Sequence, residues 1–142
     1  MIPCLASLGR DEAVYFDIPG RAELARIVLH VGGVEYEDVR FKDKQEWVEV
    51  YKPKSPTGQC PFLELDDGTL MCQSSAIAYY VASLSGFLPS DAVGIARVLE
   101  LMACFDDVRP LSPISNAAEK PLCVIAQLVC FVELKRAQAA VA

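Results

Sequence analysis

Residues 13–41, "AVYFDIPGRAELARIVLHVGGVEYEDVRF", carry an apolar run, an amphipathic stretch and a second apolar run in that order. The first run, "AVYF", is short and rich in strand-forming side chains. In the middle, Leu24, Ile27, Val28 and Val31 recur at i, i+3, i+4 and i+7, the spacing of one helix face, and Gly32-Gly33 supplies the stop. "VEYEDVRF" alternates as a half-buried strand does. A strand, a helix and a strand joined by short links form a parallel pair with the helix packed across it. That pattern commits the chain to an α/β layer before any other residue is read.

The following segments extend the layer. "KDKQEWVEVYKPKSPTGQCP" predicts one short helix around Trp47 and then a loop shaped by Pro53, Pro56, Gly58 and Pro61. "FLELDDGTLMC" predicts a hairpin, with Asp67 and Gly68 as the two positive-φ positions of a type I′ turn. A helix over Ser74 to Ser85 puts Ile77, Val81 and Leu84 on one stripe and stops at Gly86. The order over residues 13–89 is therefore β-α-β-α-β-β-α: a mixed four-stranded sheet in which the hairpin adds an antiparallel edge. Residues 1–12 read as an N-terminal tail. Past "GFLPSDAVG", residues Ile95, Val98, Leu99, Met102 and Phe105 make one more helical stripe, ended by Pro110. "PLSPISNAAEKPL" reads as a loop, and "CVIAQLVCFVELKRAQAAVA" fits a helix or a strand.

Composition narrows the function. A chain of 142 residues can bury ~70% of its unfolded surface, so neither metal nor disulfide is needed to hold a core. The net charge of -6 and the absence of any Lys/Arg block argue against nucleic acid and against an anionic membrane surface. "MIPCLASLGR" lacks the basic start and apolar length of a secretory signal. Leu122 to Leu134, with Gln127 and Glu133 inside it, falls short of the ~20 residues a membrane span requires. Six cysteines without a CxxC, beside a single His, point away from a metal site and toward buried thiols in a reducing, cytoplasmic setting.

Chemistry-bearing residues gather at the links. Gln73 and Ser74 stand where the last strand gives way to a helix, a position suited either to capping or to gripping a carboxylate with helix N–H groups. Cys60-Pro61 enters a strand as either a cis peptide, with backbone groups turned outward to pair with an extended ligand, or an ordinary edge proline. Tyr15 ends the first strand, as a core residue or as a phenol donating to an anion. Arg21 opens a helix whose dipole disfavours a cation, so it calls for an anionic partner: Glu23, another carboxylate, or a ligand. Trp47, Lys52 and Lys54 precede the proline loop, as packing and solvated charge or as a second carboxylate site. Asp106 and Asp107 oppose the dipole at the end of their helix, offset by Arg109 or by a ligand's ammonium. His30 has no neighbour that makes it a base.

"VYFDIPGRAELARIVL", "VEYEDVRF", "YKPKSPTGQCPFLEL" and "GTLMCQSSAIAYYVA" together resemble the N-terminal, thioredoxin-like domain of cytosolic glutathione S-transferases of the sigma/nu type. The four motifs cover residues 13–89 in the family's order and spacing, and "ARVLELMACFDDVRP" resembles the helix that opens its all-helical second domain. The resemblance implies that Tyr15 is catalytic, its hydroxyl holding the glutathione thiolate, with Arg21 as the basic residue beside it. It assigns Trp47 and Lys52 to the glycine carboxylate, with Gln59 near the same end. The Cys60 backbone, ahead of a cis Pro61, would meet the cysteinyl unit, and Gln73 and Ser74 the γ-glutamyl carboxylate. Asp106 would reach the γ-glutamyl amine from the second subunit of a homodimer.

The implied reaction is conjugation of glutathione to small hydrophobic electrophiles, with no metal. Residues from about Ser115 onward do not resemble the family, so residues 90–142 read as a truncated, incomplete helical domain. Two further readings stand beside the transferase. One is a non-catalytic glutathione-transferase-like module that binds ligands or partners. The other is a glutaredoxin-like thiol–disulfide enzyme, which requires a nucleophilic cysteine that "FDIPGRAE" does not contain.

Overall fold

The computed structural model describes residues 11–108, with side chains through Cys104. β1, Glu12–Phe16, starts one residue before Ala13. A 3-10 turn, Gly20–Ala22, leads into α1, Glu23–Gly32, which closes on Gly33 in the left-handed conformation. β2, Glu37–Phe41, lies parallel to β1 in register Val14↔Val39. α2 is a single turn, Lys44–Glu46, that runs on as a π-helical turn, Trp47–Tyr51. β3, Phe62–Glu64, and β4, Leu70–Cys72, form the hairpin, and α3, Ser74–Leu84, follows. The strand order is β2-β1-β3-β4, with β3 antiparallel to both neighbours. This is the expected mixed sheet of a thioredoxin-like domain. α4, Ala92–Val108, stands after it, and the segments around Arg109, Pro110 and residues 115–142 lie outside the described residues.

Strand alternation divides the core in two. Ala13 and Leu63 face one layer, where Leu24, Ala25, Val28 and Leu29 of α1 meet Ile77, Ala78, Val81 and Ala82 of α3, with Val98 and Met102 of α4 added. Val14 and Phe62 face the other, against Phe41 and Trp47. There the rings of Phe41 and Trp47 stack with centroids 5.2 Å apart. The second cluster lies under the π-helical turn and fixes Trp47 at the sheet's end.

Several local expectations are corrected. The buried face of α1 is Leu24-Ala25-Val28-Leu29, while Val31 is 44% exposed: the helix begins three residues after Gly20 and presents a rotated face to α3. In α4, Leu99 is exposed, and only Val98 and Met102 of the expected stripe are buried among the described side chains. The hairpin turn is not type I′. Gly68 alone has a positive φ, and Leu65 bonds to both Thr69 and Gly68, so Leu65–Thr69 form a wider loop with the glycine in the left-handed position. Asp67 instead accepts the Thr69 N–H at 2.8 Å. Nor are the described thiols buried as expected: Cys60 and Cys72 are half-buried and Cys104 is exposed, while Cys4, Cys123 and Cys130 lie outside the described residues.

Candidate functional site

The C-terminal end of β1, the loop before β3 and the start of α3 meet at one end of the strands. Arg21, Trp47, Gln59, Cys60, Pro61, Gln73 and Ser74 line a cavity of about 370 Å3 there. Each of these residues was expected at the site from sequence. A larger, shallower hollow of about 590 Å3 lies at the opposite end of the β1–β2 pair, lined by His30, Gly33, Val34, Glu35, Tyr36 and Glu37. Its lining carries the carboxylates Glu35 and Glu37 and neither Arg nor Lys, whereas Arg21 lines the smaller cavity, so the smaller one suits an anionic ligand.

Tyr15 stands beside the cavity rather than in its lining. Its ring is buried, edge-on to Phe16 and beneath the Arg26 guanidinium, 5.8 Å from ring centroid to Cζ. The phenol oxygen accepts the Arg21 backbone N–H at 3.3 Å, so it sits at the opening of the helix. The approach is close enough that a Cβ on Gly20 would lie 2.9 Å from that oxygen. Gly20 has φ +66, so its lack of a side chain serves both the backbone and the phenol.

The Arg21 side chain is exposed and has no ion pair among the described residues; Glu23, offered as its partner, turns instead to Arg26 at 3.5 Å. A cation thus faces the cavity from a helix start. The Cys60–Pro61 peptide is cis. Burial pushes the Cys60 thiol up, with the Arg21 guanidinium pulling it partly back. The loop ahead of it is pinned by Ser55, whose buried hydroxyl donates to the Gln59 carbonyl at 2.6 Å and accepts the Gln59 N–H at 3.2 Å.

Ser74 does not cap α3. It is the first helical residue, and Gln73 holds the cap position without a capping side-chain bond. Gln73 adopts φ 74 and ψ 117, the one positive φ at a non-glycine among the described residues. Such a conformation costs ~1–3 kcal/mol and persists where the surroundings impose it. Gln73 and Ser74 both line the cavity, so α3 opens beside it.

Lys52 is exposed, follows the π-helical turn, and runs beside Gly58, where an added Cβ would lie 3.6 Å from Cε. It is not part of the cavity lining. Asp106 belongs to α4, and its side chain lies outside the described residues. Sequence reasoning missed Arg26 and Ser55. An arginine one residue from Ala25 on the buried face of α1 was the available signal for the first. Nothing in the pattern marked the second.

The sheet order and the placement of its helices define a thioredoxin-like domain, with a candidate ligand cavity at the strand ends. The family model for the glutathione S-transferase N-terminal domain matches residues 12–83, and the chain belongs to that family. It is 40% identical over 93 residues to glutathione S-transferase 1 of Ascaris suum, covering 66% of this chain and 44% of the relative. It is 37% identical over 99 residues to the hematopoietic prostaglandin D synthase of Gallus gallus, covering 70% of this chain and 48% of that one. Among solved structures, a Nu-class glutathione S-transferase from Haemonchus contortus superposes with TM-score 0.66 at 34% identity, covering 75% of this chain and 51% of that one. The chain spans about half the length of the relatives it matches.

Proposed function

We propose that the protein binds glutathione at the cavity between β1, the Pro61 loop and α3, and conjugates its thiolate to small hydrophobic electrophiles. The observation that carries the proposal is the Tyr15 phenol, held at a helix start by the Arg21 N–H, next to a cavity bounded by a cation and a second helix N-terminus. Glutathione has two carboxylates, one ammonium and one thiol. Gln73, Ser74 and the first N–H groups of α3 receive the γ-glutamyl carboxylate. Trp47 and Lys52 receive the glycine carboxylate, with Gln59 near that end, and the Cys60 backbone beside Pro61 receives the cysteinyl unit. Residues 13–89 are the glutathione-binding domain, and the helix α4 follows it. Asp106 reaches the ammonium of a ligand on the second subunit of a homodimer in the cytoplasm.

The magnitudes are adequate. A free thiol with pKa ~8.5 is only a few per cent thiolate at neutrality. Lowering that value by ~2 units requires about 2.7 kcal/mol of preference for the anion. A phenol hydrogen bond to an anion contributes ~1.5–3 kcal/mol, and the N–H already given to the phenol oxygen polarises its O–H further. Arg21 and the adjacent helix start add to the same field.

The test is retention on glutathione resin, and turnover of chlorodinitrobenzene, for wild type and Tyr15→Phe. Retention of both with turnover sharply reduced in the variant is the expected result. Equal turnover removes Tyr15 from catalysis, and retention without any turnover in wild type leaves a binding module.

A further inference from the structure

Arg26 is 4% exposed. A buried cation is tolerated when its donors are met, and an apolar side chain of similar volume often serves stability as well or better. What Arg26 adds is therefore sought in what it holds. Its Nε donates to Asp38 Oδ1 at 2.9 Å, Nη1 to the Ile18 carbonyl at 2.9 Å, and Nη2 to the Phe16 carbonyl at 3.3 Å. Glu23 accepts weakly from Nη1 at 3.5 Å. The same guanidinium lies over the Tyr15 ring.

Phe16 and Ile18 flank the turn that carries the chain from Tyr15 to Arg21. That turn is closed by Ile18 N–H to the Phe16 carbonyl at 2.8 Å and is tied to β2 by Asp17 N–H to the Phe41 carbonyl at 3.1 Å. Asp38 gives its second oxygen to Arg40 at 2.7 Å, and Arg40 returns to Asp17 at 3.1 Å. A ring of contacts thus runs from α1 to β2, to the turn, and back to α1, enclosing the segment on which the phenol and the Arg21 N–H must meet.

We propose that Arg26 is the positioning residue for the Tyr15 phenol: its planar fork fixes the Phe16–Ile18 turn while its face fixes the ring. The inference rests on the glutathione reading above and extends it to a residue outside the cavity. A lysine has one donor centre and cannot reproduce two carbonyl bonds and a carboxylate bond in one plane. Arg26 on α1 faces the Tyr15 ring and the Arg21 N–H meets its oxygen, while Glu23 on α1, Asp38 and Arg40 on β2 and Asp17 in the turn are the charged groups joined to Arg26 through the ring of contacts.

The experiment compares wild type, Arg26→Lys, Arg26→Met and Asp38→Asn, with Arg97→Gln at an exposed pair as control. Thermal melting, kcat and KM for glutathione, and the pH midpoint of the bound thiol's ultraviolet absorbance are measured on each. Arg26→Lys is expected to keep KM within about twofold while kcat at neutral pH falls about tenfold and the midpoint rises by about one unit. Asp38→Asn moves the midpoint in the same direction by less, although it does not touch the cavity. A lower melting temperature with midpoint and kcat unchanged overturns the proposal and leaves Arg26 a structural residue. Should neither Arg26 variant fold, the Asp38→Asn midpoint decides, an unchanged value overturning it. A wild type that neither retains glutathione nor shifts its thiol sinks the functional reading itself, and this inference with it.

Discussion

Gly20→Ala separates the two duties of that residue. The left-handed conformation at φ +66 costs an alanine about 1–2 kcal/mol. The new Cβ also meets the phenol, 2.9 Å from Oη and 3.1 Å from Cε1. Ordinary contact requires roughly half an ångström more. The ring, held by Phe16 and Arg26, must yield that distance, and its bond to the Arg21 N–H, already 3.3 Å long, breaks. That loss is worth a further ~0.5–1.5 kcal/mol. Gly33→Ala is the matched control: φ is again +66, and nothing lies within 4 Å of its Cβ position. At roughly 4–8 °C per kcal/mol for a domain of this size, Gly20→Ala should melt several degrees below Gly33→Ala. Only the former should lose conjugation of chlorodinitrobenzene. Equal melting temperatures with equal turnover would refute the close approach of the phenol to the helix start.

Three further outcomes are expected. Gln73→Gly relieves the strained φ of 74, so melting should rise, by an amount on the order of 1 kcal/mol, while retention on glutathione resin falls; a drop in both contradicts the strain argument. Burial, with the Asp66 and Asp67 charges, raises the Asp11 carboxyl above 3.8, against the Asp66 N–H bond that lowers it. The stability of the protonated form is fully present below 3.8 and is lost as pH rises through the folded value, so Asp11→Asn should melt higher than wild type at neutral pH and equal to it in acid. Gly32→Ala, which in a helix normally gains up to about 1 kcal/mol, should instead destabilise, because the Ser85 side chain occupies the Cβ position; Ser85→Gly in the same chain should restore melting.

The architecture was legible because each element advertises itself over several residues. The β1-α1-β2 pattern, the hairpin and the α3 stripe agree with one another; most of the cavity lining stands on the links between them, and Gln59 came only from the family resemblance. The errors are local and physical. The face of α1 was misplaced because Ala25 is small enough to sit at the α1–α3 contact, so an apolar count favoured the larger but exposed Val31. Asp67-Gly68 satisfies a type I′ turn by composition, yet Leu65 and Thr69 pair across a wider loop. Ser74 has the chemistry of a cap, but it is the first residue of α3, as the expected helix had it, and Gln73 at positive φ holds the cap position. The π-helical turn at Trp47–Tyr51, whose Trp47 and Tyr51 rings stack on Phe41, has no one-dimensional signature. Arg26 was overlooked because its partners at positions 16, 18 and 38 converge only in three dimensions.

The central claim is that one phenol keeps bound glutathione ionised, and a titration of the bound thiol reports on it most directly. In wild type the ultraviolet signature of the thiolate should persist to about two pH units below the free thiol's ~8.5. In Tyr15→Phe, saturated with the same ligand, the midpoint should return most of the way to the free value. Coincident titration curves for the two proteins would contradict the account.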